Sequence, residues 1–245
     1  VACDTTFEEA IINPALGQKC MLDAARRYET GIVRFCTGPE ASWYDQKLVE
    51  WRDGKLVEIL RDTGKIEGFY DVMGGGALIR HENPDPPRSV ADVHAIEVPS
   101  AEEYRQRGYF RDIAPLVREA HHEGIFTVGM VSGQSLNYMV AQMGNPVDAI
   151  LLFIDAPEMA FALIDKAIAI SIEKCNAFLE AGVDCLFIGD SYASASVISP
   201  QIYKRFCAPA QRQMAEEFRP RGVPSITHCC GNYNPLLDAL PRTGV

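Results

Sequence analysis

Hydrophobic and polar positions follow two different periods along the first part of the chain. In residues 17–29 apolar side chains recur with helical spacing, and residues 30–36 form an apolar run. Together they predict a helix followed by a strand. Residues 47–72 instead alternate between apolar and polar positions around an Asp53-Gly54 turn. That alternation predicts an inserted antiparallel β-meander of three strands near residues 47–72.

The pattern after Pro99 is a regular alternation of helices and strands. Ser100 and Glu103 have the spacing of a capping box and predict a long helix towards His122. Apolar runs predict strands at 125–131, 183–190 and 223–228, and an amphipathic run predicts a long helix at 157–180. Because these strands are continuously apolar, they predict a parallel sheet covered by helices on both faces.

Polar side chains gather directly after the predicted strands. Cys36, Ser132, Asp190 and His228 each stand at or just past the end of one apolar run. A (β/α)8 TIM barrel carries its chemistry at the carboxyl ends of its strands, so this arrangement favours that fold over a doubly wound open sheet, which stays the alternative. We therefore expect an α/β protein in which residues 1–245 form a single barrel domain.

Charge and composition narrow the classes of partner. The 245 residues carry a formal net charge of −10, which argues against nucleic acid and anionic membranes because binding to them needs clustered Lys and Arg. No apolar run in the sequence approaches the ~18 residues that a membrane span requires. Six of the eight cysteines are scattered along the chain. Scattered thiols are typical of a reducing compartment, so a cytoplasmic location is predicted.

A histidine and two cysteines follow the last predicted strand. Side chains on a strand alternate between its faces, so His228 and Cys230 point to one face and Cys229 to the other. An imidazole and a thiolate are two of the three protein ligands of a typical catalytic zinc site, whose fourth position stays open. The pair therefore predicts a Zn²⁺ site. The alternative is a buried histidine beside two inert thiols.

Further candidate site residues are chosen by their position after the strands. Asp190 ends an apolar strand, where its carboxylate would either be catalytic or cap the loop that follows. Three residues are predicted substrate contacts because they follow strands: Gln134, Asn137 and Tyr192. Asn232 is a fourth predicted contact, although it could serve only to shape the turn after the last strand.

Two stretches of the chain resemble a known family. They are HCCGNYNPLL, residues 228–237, and AGVDCLFIGDSYASASVISPQIYKRFCAPAQRQM, residues 181–214. Both resemble the uroporphyrinogen decarboxylase superfamily, and specifically its zinc-dependent cobalamin methyltransferase branch. In that branch a strand-end acid precedes a Ser-Pro helix start, matched here by Asp190 and Ser199-Pro200. Its H-x-C-G-N signature begins here at His228.

The resemblance implies a reaction and its cofactors. It implies a barrel with zinc at its mouth that moves a methyl group between a corrinoid, such as cobalamin, and a small substrate such as a thiol, a folate or a methyl ether. The corrinoid would be carried by a separate small protein that docks at the barrel mouth, and a homodimer stays open. Zinc chemistry agrees on independent grounds, since zinc ionises a bound thiol near neutral pH.

Two other functions stay open. The decarboxylases of the same superfamily use no metal and bind a carboxylated tetrapyrrole through an aspartate and an arginine-rich N-terminal segment. In this sequence Arg26-Arg27 lie on a predicted helix, and such a segment is not recognised. The third interpretation is a non-catalytic binding protein of corrinoid metabolism with a degenerate site. Bound zinc would separate it from the methyltransferase, and porphyrinogen turnover would identify the decarboxylase.

The predicted strands are too few for a closed barrel. About five strands are counted, and at ~30 residues per βα unit an eight-stranded barrel would need roughly 90 residues more. In the resembled family the third zinc ligand is a cysteine well downstream. We therefore expect this chain to be part of a longer barrel, incomplete at its C-terminus. Cys36 and Cys185 are the local substitutes for that ligand, and Cys185 lies too early in its strand to reach the mouth.

Overall fold

The computed structural model describes residues 5–71, 77–80 and 85–244. The chain divides into two compact units: Val1–His81 with Glu102–Thr127, and Glu82–Ala101 with Val128–Val245. Among the described residues, no helix has both the length and the apolar character needed to cross a membrane.

Within the described residues, twelve helices and strands lie before residue 133. They are α1 (Phe7–Ile12), α2 (Pro14–Arg27), β1 (Ile32–Cys36), α3 (Trp43–Gln46), β2 (Lys47–Arg52), β3 (Lys55–Leu60), β4 (Ile66–Asp71), β5 (Ala77–Arg80), α4 (Val90–Ala95), α5 (Ala101–Gln106), α6 (Ile113–His122) and β6 (Phe126–Ser132). Helix α1 begins at a capping box, in which the backbone N–H of Glu9 donates to Thr6 Oγ1 (3.1 Å) and that of Thr6 donates to the Glu9 carboxylate (2.7 Å).

The second half alternates helices with two short strands. Its elements are α7 (Leu136–Met143), α8 (Pro146–Asp155), α9 (Pro157–Glu180), β7 (Cys185–Gly189), α10 (Pro200–Ile202), a π-helical turn (Tyr203–Cys207), α11 (Ala208–Phe218) and β8 (Ser225–His228). Helix α10 begins as predicted, because Ser199 Oγ accepts from the backbone N–H of Ile202 (3.2 Å) and Pro200 is the first helical residue.

An antiparallel sheet of four strands, β2 to β5, lies in the first unit. Its register places Glu58 of the inner strand β3 between Val49 of β2 and Gly68 of β4. In the β2–β3 turn, φ is 49° at Asp53 and 74° at Gly54. Positive φ at both turn residues is what a two-residue hairpin of type I′ requires, so the hairpin predicted from Asp-Gly is confirmed.

The three strands predicted near residues 47–72 are confirmed, and the sheet has one more strand beyond that range. A fourth strand, β5, covers Ala77–Arg80. Four residues are too few for alternation to be recognised in the sequence, and this strand was missed for that reason. Val72, the last residue of the predicted meander, lies outside the described residues.

The predicted long helix towards His122 is two helices, α5 and α6. Between them, Gly108 has φ of 88°, a left-handed conformation that no helix contains. Two backbone carbonyls in this turn accept hydrogen bonds from the loop after β1. Gly38 N–H donates to Tyr109 O (2.9 Å), and Ala41 N–H donates to Arg107 O (2.7 Å). Tertiary hydrogen bonds of this kind override a helical sequence pattern.

Strands β6, β7 and β8 form a parallel sheet with β7 between the other two. Ser132 pairs with Gly189, and Gly189 pairs with His228, so the carboxyl ends of the three strands are level. Helix α9 approaches β6 closely, since a Cβ at Gly129 would lie 2.6 Å from the ring of Phe178. The predicted parallel sheet is confirmed, and its carboxyl edge carries the candidate site.

Candidate metal centre

His228 ends strand β8 at the carboxyl edge of the parallel sheet. Its carbonyl oxygen accepts from the backbone N–H of Asp190 (3.1 Å), which fixes the end of β8 against the residue that follows β7. Its imidazole stacks on the ring of Phe187, with centroids 5.7 Å apart and planes inclined by 30°. A Cβ at Gly189 would lie 2.6 Å from the Phe187 ring, so glycine there leaves room for this ring. Phe187 therefore sets the orientation of the imidazole.

The His228 Nε2 lies 3.2 Å from the Cys230 Sγ, and both residues are exposed. Zinc bonds of about 2.0 Å to nitrogen and about 2.3 Å to sulfur, at a tetrahedral angle, separate the two ligand atoms by roughly 3.5 Å. The observed distance is close to that value. The two side chains therefore fit a shared zinc ion with little adjustment.

Cys229 points elsewhere. Its Sγ lies 3.7 Å from the carbonyl oxygen of Ser191 and 3.8 Å from that of Ala193, both in the loop after β7. It also accepts from the backbone N–H of Gly231 (3.4 Å). The structure thus separates the two adjacent thiols, with one beside the imidazole and the other packed against backbone.

Of the two local substitutes for a third ligand, Cys185 lies in the same unit as the pair and does not reach it. Among the described residues, no three or more His, Cys, Asp or Glu side chains form a metal-binding group. Cys185 precedes Gly189, the partner of His228, by four residues of β7, or ~13 Å along a strand. Cys36 belongs to the first unit, where burial raises the pKa of its thiol, with Arg34 opposing that rise.

Asp190 is buried, with 1% of its surface exposed. Its Oδ2 accepts from the backbone N–H (2.8 Å) and the hydroxyl (2.5 Å) of Ser135, and its Oδ1 accepts from the backbone N–H of Asn137 (3.0 Å). Burial raises the pKa of the Asp190 carboxyl, and the hydrogen bonds from Ser135 and Asn137 oppose that rise. The carboxylate therefore caps the first turn of α7, and a hydrogen bond from the backbone of Ala193 also ties it to the loop after its own strand, as the capping alternative had it.

The predicted substrate contacts fall into two groups. Asn137 and Tyr192 come together, because Asn137 Oδ1 accepts from the backbone N–H of Tyr192 (2.9 Å), whose side chain is 37% exposed. Gln134 is buried and donates from Nε2 to Val131 O (3.0 Å). Asn137 thereby links the loop after β6 to the loop after β7, and Tyr192 presents the accessible side chain.

Asn232 shapes the turn after β8. Its Oδ1 accepts from the backbone N–H of Asn234 (2.9 Å), and its own N–H donates to Ser196 Oγ (2.9 Å). This geometry matches the turn-shaping alternative for Asn232. Its side chain is exposed, so a substrate contact remains compatible with its placement.

Tyr203 and Gln211 form a buried polar pair that no sequence pattern indicated. The Tyr203 hydroxyl donates to Gln211 Oε1 (2.6 Å), and both residues are buried. The Tyr203 ring lies edge-on to Tyr233, with centroids 6.4 Å apart. Burial, followed by the charge of Cys229, raises the pKa of Tyr233 to about 12. Neither residue was singled out from the sequence, and only the fold shows their hydrogen bond.

The sequence of this chain is similar to a known protein family and to several of its members. A family model described as uroporphyrinogen decarboxylase (URO-D) matches residues 80–245. A uroporphyrinogen decarboxylase of Myxococcus xanthus is 30% identical over 165 residues, which are 66% of this chain and 46% of the relative. A methylated-thiol–coenzyme M methyltransferase of Methanosarcina mazei is 35% identical over 89 residues, which are 36% of this chain and 23% of the relative.

A solved structure extends the likeness to nearly the whole chain. It is a methyltransferase from Methanosarcina mazei, 20% identical, with a TM-score of 0.65 over 97% of this chain and 63% of its own. This likeness confirms the predicted α/β barrel class. The chain spans about half the length or less of the curated relatives it matches. The resemblance predicted from the residues around Asp190 and His228 is confirmed by these matches.

Proposed function

Because the chain belongs to the uroporphyrinogen decarboxylase family, we propose that it acts in zinc-dependent transfer of a methyl group between a corrinoid and a small substrate. The observation that carries this proposal is the 3.2 Å separation of His228 Nε2 and Cys230 Sγ at the exposed carboxyl edge of the sheet. Metal-free decarboxylation gives this exposed imidazole–thiol pair no role.

His228 and Cys230 would hold the zinc ion together with a third ligand from outside the described residues. When bound, zinc would supply Lewis acidity that ionises a coordinated substrate thiol near neutral pH. Phe187 keeps the imidazole at the correct angle, and the hydrogen bond from Asp190 N–H to His228 O holds the strand end. Exposure of both ligands leaves them open to substrate.

Asp190 acts in this proposal as a positioning residue. Its carboxylate binds Ser135 and the backbone of Asn137, and the Asn137 side chain in turn holds the backbone of Tyr192. The loops after β6 and β7 are thereby fixed to each other. Tyr192 and Asn232 are then the exposed candidates for substrate contact. Gln134 is buried and supports the loop after β6 by donating to Val131 O.

A thiol is the substrate class that the relatives support, since one is named a methylated-thiol–coenzyme M methyltransferase and another a methylcobamide:CoM methyltransferase. We propose that a corrinoid protein docks at the edge where His228 is exposed. A cytoplasmic location fits the seven described cysteines, which are all free thiols.

Decarboxylation of a tetrapyrrole is the second candidate. It is favoured by the breadth of the match to the Myxococcus xanthus decarboxylase, which covers 66% of this chain. The two candidates differ in their need for metal, because only methyl transfer uses the His228–Cys230 pair.

One assay separates the two candidates. Zinc-loaded protein is mixed with methylcobalamin and a small thiol, and demethylation is followed by the change in corrinoid absorbance. We expect turnover that stops when a chelator removes the zinc and that is absent from His228→Ala. Uroporphyrinogen turnover that is insensitive to chelator, without methyl transfer, would replace the proposal with decarboxylation.

A further inference from the structure

A cavity of about 360 Å³ lies in the second unit, where the end of α8 and the start of α9 meet α10 and the π-helical turn. Apolar side chains make up most of its lining, and the two polar lining residues are Gln201 and Arg205. Such a volume and such a lining are typical of a site for a small molecule. Neither His228 nor Cys230 lines this cavity, so binding here goes beyond the proposed reaction.

The floor of the cavity is aromatic. Phe206 is buried and lies between two other rings, with its centroid 4.7 Å from that of Phe153 and 4.5 Å from that of Phe161. Phe153 is buried as well, and both Phe153 and Phe206 line the cavity. Because these rings already pack against one another, the floor is formed before a ligand arrives. A fixed aromatic floor favours a flat aromatic ligand.

Arg205 is the cation of this cavity. Its guanidinium carbon lies 4.9 Å from the centroid of Phe206 and 5.9 Å from that of Phe161. Stacking on rings occupies the face of a guanidinium, whereas its N–H donors lie in its plane and stay available. In the part of the chain that the structure describes, no carboxylate forms an ion pair with Arg205. The exposed guanidinium is therefore open to an anion.

The lining selects one sign of charge. No Asp or Glu is among the described residues that line the cavity. Asp155 and Glu158 adjoin lining residues in the sequence, but both are exposed, so water and salt screen their charges. A guanidinium binds a carboxylate through two parallel hydrogen bonds. We propose that this cavity binds a small aromatic carboxylate, with Arg205 paired to the carboxylate and Phe153 and Phe206 against the ring.

Calorimetric titration with cinnamate tests this proposal. Cinnamate is flat and carries one carboxylate, which is ionised at neutral pH. Cinnamamide has nearly the same shape without the charge, and it serves as the uncharged comparison. We expect saturable binding of one cinnamate per chain, and at least about fivefold weaker binding of cinnamamide, because the charged hydrogen bonds to Arg205 are lost.

Removal of the cation supplies the second arm of the test. Arg205→Gln should weaken cinnamate binding at least about fivefold, or ~1 kcal/mol. Arg205→Lys keeps the charge but not the paired donors, so its affinity should lie between those of Arg205→Gln and wild type. The matched control is Lys204→Gln, because Lys204 is the exposed neighbour of Arg205 and does not line the cavity. It removes the same charge from the protein and should leave the affinity unchanged.

Three results would overturn the proposal. They are equal affinities for cinnamate and cinnamamide, undiminished binding by folded Arg205→Gln protein, and an equal loss of affinity in Lys204→Gln. Circular dichroism establishes whether Arg205→Gln folds. If it does not fold, Ile154→Glu replaces it, because Ile154 lines the cavity and is 68% exposed, so a carboxylate there is tolerated and repels the ligand. Undiminished cinnamate binding by Ile154→Glu would place the ligand elsewhere and end the proposal.

Discussion

The Nε2 of His228 lies 3.2 Å from the Sγ of Cys230, while the intervening Cys229 turns its Sγ towards the backbone carbonyls of Ser191 and Ala193. Strand alternation separates the two thiols and leaves Cys230 on the same side as the imidazole. Two cysteines that are adjacent in the sequence should therefore differ completely in metal binding.

Replacing each cysteine by alanine tests this difference. Cys230→Ala removes the thiolate beside the imidazole, and we expect it to lose most of its bound zinc. Cys229→Ala removes only contacts with backbone, so it should retain zinc at the wild-type stoichiometry. Metal analysis of both purified variants measures the effect. Equal zinc contents would show that the pair in the structure is not the metal site.

Phe187 should control zinc affinity through the orientation of His228. Stacked aromatic pairs contribute about 0.5–1.5 kcal/mol, so Phe187→Leu should weaken zinc binding roughly two- to tenfold while the protein stays folded. Competition with a chromophoric chelator measures the affinity. Phe126→Leu is the control, since Phe126 is 42% exposed at the start of β6, at the opposite end of its strand from Ser132. Equal losses in both variants would argue against orientation by stacking.

Asp190→Asn should destabilise the protein and leave zinc bound. The substituted amide offers one acceptor oxygen where the carboxylate has two, and its amino group then faces an N–H donor of Ser135 or Asn137. We expect the free energy of unfolding to fall by about 2 kcal/mol or more. Asp165→Asn, at an exposed position of α9, should change it by less than about 0.5 kcal/mol. Urea unfolding compares the two, and equal stabilities would contradict the capping role.

The same carboxyl predicts a pH dependence. Burial raises the folded-state pKa of Asp190 above its unfolded value. Between the two pKa values the native state therefore binds more protons than the unfolded state, so stability from this group is full below the unfolded pKa, near 4, and is lost as pH rises through the folded pKa. The difference in unfolding free energy between wild type and Asp190→Asn should thus be larger in acid than at neutral pH. A difference that grows with pH would show that hydrogen bonding outweighs burial.

The sequence predicted what depends on local pattern. Strand β8 follows from its local pattern, and the different directions of Cys229 and Cys230, just past its end, follow from alternation. The partner of Asp190 does not, because Ser135 stands 55 residues earlier and reaches the carboxylate only when β6 and β7 pair. The break between α5 and α6 could not be predicted for the same reason, because the turn at Gly108 forms hydrogen bonds to a loop that is distant in the sequence.

The burial of polar residues is a second feature that sequence patterns do not predict. Glu58 stands in an alternating strand where a charged residue suggests a solvent-exposed face, yet β3 is an inner strand covered on both sides. Glu58 lines a pocket whose other walls include helices α1 and α2, which are far from it in the sequence. Alternation shows which residues share a face, but burial depends on what packs against that face.

A steric prediction concerns the turn that directly follows Cys230. A Cβ at Gly231 would lie 2.5 Å from the Cβ of Ser194, which is fully buried, and 2.0 Å from its Oγ. Gly231→Ala should therefore displace the turn, lower the melting temperature by several degrees and weaken zinc binding. Ser194→Ala in the same chain should not restore either property, because its Cβ remains. Ser194→Gly removes both clashing atoms and should restore much of the zinc affinity, measured by chelator competition. Rescue by alanine as effective as rescue by glycine would show that the hydroxyl, and not the close approach of the two backbones, sets the geometry of this turn.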